Sequence, residues 1–206
     1  MAASQQNGHD FDNEMKAIYK VTETGYTSLH DIPEKFNEGT DASVKSSVSD
    51  SCDCGDALRM FNNAHLQRYQ MIRGQFEQVG GQKILREVHL VDLSDSLSLL
   101  WGTLTLAEVT TLSELTKSYV PGRVDIRKAV HALKKELNKK SGFMQFRPKM
   151  DTKQSRLQCS IPKWSQFIRA HPSRVLYHTT TGMFRGTQLT LVRESPRRQR
   201  NPRGQR

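Results

Sequence analysis

Lys134, Lys135, Lys139 and Lys140 form two adjacent pairs, and Ile126, Val130, Leu133 and Leu137 recur among them at three- and four-residue spacing. On a helix this pattern sends the apolar residues to one face and the ammonium groups to the other. Cations gathered on a rigid face displace the counterions of a phosphate backbone, so the chemistry on offer is polyanion binding. Arg123, Arg127 and Lys128 precede the lysines, and Arg147, Lys149, Lys153 and Arg156 follow them. The C-terminal stretch RESPRRQRNPRGQR adds Arg197, Arg198, Arg200, Arg203 and Arg206 as a mobile extension of the same surface.

The formal charge is +10 over 206 residues, and it is unevenly spread. The balance is −6 over residues 1–60, −1 over 61–122, +8 over 123–162 and +9 over 163–206. In the third window 11 cations meet 3 carboxylates, so pairing within it leaves most of the charge uncompensated. Such a surface attracts nucleic acid or an anionic membrane. Phe143, Phe146 and Trp164 interleave with the charge, as bases stacking on aromatic rings would require. Alternation on a strand, with the rings in the core, accounts for Phe143 and Phe146 better. No aromatic signature of a common RNA-binding module is present, so sequence-specific readout is not expected.

Other reactive side chains form weaker patterns. Cys52 and Cys54 could begin a zinc site with His65 and Cys159, but the C-x2-C spacing and a second matching pair are both missing. No metal and no other cofactor are expected, and an odd number of thiols fits a reducing compartment. None of the seven histidines, His9, His30, His65, His89, His131, His171 and His178, sits in a nucleophile, metal-ligand or phosphate-loop motif. The expectation is a protein that is not an enzyme and has no catalytic residues. Tyr26 and Leu29 have the spacing of a short peptide that a partner's pocket accepts, and the serines of KSSVSDSCD are candidate phosphorylation sites.

The elements that must position these groups are expected to be mainly α, with a small C-terminal β element, an α+β arrangement. Residues 1–54 read as an acidic, mostly disordered arm, because Ser, Thr, Asn, Asp and Glu dominate it. Residues 55–142 read as a helical domain. In it Leu58, His65, Tyr69, Ile72, Phe76 and Val79 suggest one helix, Gly80-Gly81 its stop, and KILREVHLVDL a second. Thr105 and Glu108 form a capping box, Pro121-Gly122 ends the helix they start, and another helix runs from about 124 to 140. Residues 143–194 read as a β-containing extension with a hairpin at Gly182 and Gly186, and 195–206 as a basic disordered tail.

The polar, acidic start lacks a secretory signal, and no run reaches the roughly 20 apolar residues of a membrane-spanning helix. The chain is expected on the cytosolic or nuclear side. The function that fits is non-enzymatic binding of RNA or a ribonucleoprotein by phosphate neutralisation, with the acidic arm competing for the basic surface or engaging a protein partner. The architecture, small and basic with an unstructured arm, is also that of many viral structural and accessory proteins. An adaptor or matrix-like protein, touching an anionic membrane peripherally or binding a host protein, is the alternative.

Overall fold

The computed structural model describes residues 3–22, 30–150 and 156–194. Helix α1 (Ala3–Ile18) opens it, followed by strands β1 (Asp41–Ser47) and β2 (Cys52–Asp56). Asp56 then caps helix α2 (Ala57–Asn63) by accepting the Arg59 backbone N–H. Strands β3 (Tyr69–Val79) and β4 (Gln82–Asp92) make a long hairpin. Gly80 and Gly81 close it at φ 54° and 94°, the paired positive angles that a two-residue turn demands. Helices α3 (Leu97–Trp101), α4 (Leu106–Lys117) and α5 (Val124–Lys140) come next. Then follow β5 (Gln145–Pro148), β6 (Leu157–Ile161), α6 (Trp164–Ala170), β7 (Val175–Thr179), β8 (Met183–Phe184), β9 (Thr187–Gln188) and β10 (Val192–Glu194).

The principal sheet runs β1-β3-β4, and β4 carries both β10 and β7 on its other edge. β1 is parallel to β3 and the remaining pairs are antiparallel. A second sheet has the order β2-β6-β5. The fold is therefore mixed α/β, with 37% helix and 32% strand spread along the chain, which overturns the expectation of a mainly α protein with a small C-terminal β element.

The physical reason lies in β3. Its Tyr69 and Met71 join the core shared with the second sheet and helices α2, α4, α5 and α6. Ile72 and Phe76 point the other way, into a second core beneath α1. A strand with both faces buried has apolar residues at mixed spacings, and here they imitate the three- and four-residue steps of a helix. In β4, Leu85, Val88 and Leu90 serve the second core while Val91 serves the first, so KILREVHLVDL is a strand for the same reason. Only the opening of the first expected helix forms, as α2.

The acidic arm is also part of the fold. Phe11 and Met15 of α1 are fully buried, as are Ile32 and Ala42, and each of the first two side chains contributes about 2 kcal/mol by leaving water. β1 pairs along its whole length with β3, while β2 pairs with β6. Composition hid this, because one apolar face of α1 and one strand edge suffice to order a segment otherwise rich in polar residues. Other expectations hold locally. Thr105 and Glu108 form the capping box at α4, α5 spans Val124–Lys140, and β8 pairs with β9 across Arg185 and Gly186. Among the described residues no helix is long and apolar enough to cross a membrane.

Candidate functional site

Helix α5 is anchored by Val130 and Leu137, both buried, with Ile126 and Leu133 half-buried beside them. At about 100° per residue, Lys128, Lys135 and Lys139 fall on the stripe directly opposite, with exposed His131 among them. Arg127 and Lys134 line one flank of that stripe, and the rise of about 1.5 Å per residue sets Lys128 and Lys135 about 10 Å apart along the axis. The charge is therefore carried on a rigid rod seated on the core.

Part of it is paired. Arg123 grips Asp125 with two hydrogen bonds of 2.9 and 2.6 Å, and this guanidinium holds the Asp125 carboxyl down at about 2. Lys139 lies 2.9 Å from Glu136, and Lys140 lies 2.5 Å from Glu108 of the α4 capping box. Arg147 on β5 reaches Asp53 on β2 at 3.3 Å. Arg127 stacks on Tyr119 and donates a hydrogen bond to its hydroxyl. Exposed pairs of this kind are weak, so a phosphate can take the place of the carboxylate. Among the described residues, Lys128, Lys134 and Lys135 have no carboxylate at pairing distance. Lys149 and Arg156 are exposed beyond the ends of β5 and before β6. Lys153, Arg197, Arg198, Arg200, Arg203 and Arg206 lie outside the described residues, as do Tyr26 and Leu29.

The aromatic residues do not belong to this surface. Phe146 and Trp164 are buried, and Phe143 packs edge-on against Phe167 and His171. No family model, curated protein or solved structure matches the chain. Cys52, Cys54 and Cys159 are free and buried, in β2 and β6. Hydrogen bonding to Cys54, then burial, pushes the Cys52 thiol well up, and contact with Cys159 does the same to Cys54. Protonated thiols are poor nucleophiles, and His65 is exposed and packs edge-on against Phe61.

A second polar group crosses the principal sheet. Register places Arg73 on β3 opposite His89 on β4, and His89 opposite His178 on β7. The His89 and His178 rings stack with centroids 4.4 Å apart and planes within 2°. Trp164 covers both Arg73 and His89. Arg73 is buried and donates to Ser47 Oγ at 2.9 Å, to the Ser49 carbonyl at 2.8 Å and to the Gln75 side chain. Glu87 accepts from or pairs with His178 Nε2 at 3.2 Å. Sequence reasoning missed this row, since its members are up to 105 positions apart and no local motif unites them. The alternation of Glu87 and His89 on a strand was the one available signal, and the helical reading of that segment concealed it.

Proposed function

We propose that the protein binds nucleic acid through its phosphates, with RNA or a ribonucleoprotein as the target, and catalyses no reaction. The observation that carries this reading is the outward stripe of α5, where Lys128 and Lys135 stand exposed on a helix fixed to the core, with no carboxylate at pairing distance among the described residues. Lys134 and Arg127 broaden the stripe, and the loosely paired Arg123, Lys139, Lys140 and Arg147 exchange their carboxylates for phosphate on contact. With Phe146 and Trp164 in the core, bases find no stacking platform there, and binding is indifferent to sequence.

The test is affinity for a labelled oligoribonucleotide measured between roughly 50 and 200 mM salt. The expected logarithmic plot is linear and steep, and the double variant Lys128→Gln, Lys135→Gln lowers its slope by about two, one for each lost phosphate contact. A response flat in salt, or a slope unmoved by the double variant, ends this reading. Val120 and Val124 favour a second one: they are 57% and 60% exposed at the turn between α4 and α5, beside Arg123. Apolar side chains next to cations suit peripheral contact with an anionic membrane. Flotation with anionic but not neutral vesicles, abolished by Val120→Ser with Val124→Ser, distinguishes the two.

A further inference from the structure

We infer that Glu87, His89 and His178 form a binding site for a divalent transition-metal cation, with Zn2+ best suited to the donor set. One ligand atom from each residue lies within 4.8 Å of the other two. β4 puts Glu87 and His89 on one face because they are two residues apart, and β7 brings His178 directly across from His89. His178 Nε2 and Glu87 Oε2 are already 3.2 Å apart, close to the edge of a tetrahedron whose bonds are roughly 2 Å. Two imidazoles and one carboxylate leave a coordination position open, the arrangement of zinc sites that hold a water or a substrate atom.

The surroundings support the assignment independently. His89 is 2% exposed and its Nδ1 has no hydrogen-bond partner among the described residues, an arrangement that burial alone penalises. The buried Trp164 stands edge-on to the His89 ring at 6.2 Å, on the inner side of the cluster. The side chains of His178 and Glu87, 44% and 33% exposed, leave an entry path from solvent. The two rings lie face to face, so ligation turns the His178 ring about its Cβ–Cγ bond, a movement open to an exposed residue of a short strand. Arg73, the nearby cation, opposes a metal charge even though its guanidinium is engaged by Ser47, Ser49 and Gln75. Affinity is accordingly expected in the micromolar range.

The experiment uses the full chain, freed of metal by a chelator, titrated with zinc chloride by calorimetry and with Cu2+ by tryptophan fluorescence. One ion per chain is expected, together with quenching of Trp164. His178→Ala, a change at an exposed position, weakens zinc binding by at least about tenfold and abolishes the quenching, as does Glu87→Gln. Circular dichroism of both variants, unchanged, establishes that the fold is retained. Absence of zinc binding overturns the inference. So does binding of equal strength in the wild type and both variants, because the ion then sits elsewhere.

Discussion

The tip of the Phe11 ring rests on the backbone of Gly74, where a Cβ would stand 2.8 Å from Phe11 Cζ. Phe11 also meets Phe76 edge-on with ring centroids 5.8 Å apart. The absence of a side chain in the middle of β3 thus makes the socket into which α1 docks, and it joins residue 11 of an acidic arm to the central sheet.

Gly74→Ala is expected to destabilise the protein by about 2 kcal/mol, because an overfilled site must displace a ring that has nowhere to go. Phe11→Ala leaves a cavity and costs about 3 kcal/mol. The two are expected to be non-additive, since removing the ring makes room for the methyl group. Urea unfolding of the four members of the cycle checks this, and strict additivity would show that Phe11 and Gly74 do not meet.

Arg193, the first arginine of the C-terminal stretch, is 6% exposed and pairs with Glu14 of α1. Its guanidinium also lies over the rings of Phe11 and Phe76. Arg193→Ala leaves Glu14 with the Thr190 backbone N–H in place of its ion pair and removes the stacking, with an expected loss of about 2 kcal/mol. Arg193→Lys is expected to recover little, because an ammonium cannot reproduce a planar guanidinium against two rings. Thermal unfolding of both variants measures the difference.

Asp31 supplies the pH dependence. Burial acts to raise its pKa, but Lys45 at 3.1 Å and the Val44 backbone N–H at 2.7 Å together outweigh burial and hold it below the ordinary value of 3.8. A carboxyl depressed in the folded state binds fewer protons than in the unfolded chain, so its contribution is complete above about 3.8 and disappears as pH falls through the folded value. Asp31→Asn is expected to lower the melting temperature at pH 7, with the gap closing below pH 4. A gap that is constant with pH would remove the charge from the explanation.

The three thiols provide a probe of integrity. All are buried and reduced, and those of Cys52 and Cys54 are pushed up in pKa. Reaction with a thiol reagent at neutral pH is expected to be slow in the native protein and complete on adding denaturant. Rapid reaction of one thiol under native conditions would contradict the burial of β2 and β6.

Local chemistry was legible wherever a residue's role depends on its chain neighbours. Thr105 and Glu108 announce α4 because a capping box is a four-residue device, and α5 is readable because Val130 and Leu137, with half-buried Leu133, face the core on one side only. β3 and β4 were illegible for the converse reason: with Tyr69 and Met71 serving one core and Ile72 and Phe76 the other, both faces are apolar and no apolar–polar alternation marks the strand. The basic stripe of the candidate site was visible from spacing alone, whereas the row of Arg73, His89 and His178 was not.

By itself the sequence determined the net charge, the division into acidic, neutral and basic stretches, the cap of α4 and the amphipathic helix that carries Lys128 and Lys135. These depend on residue type and on neighbours within a turn or two. Only the tertiary structure decided that the arm docks, that Arg193 is a buried strut, that Phe146 and Trp164 are unavailable to bases, and that Glu87, His89 and His178 converge. Each of those depends on strand register, which joins residues through backbone hydrogen bonds across long loops. Nothing in the neighbouring residues records that pairing.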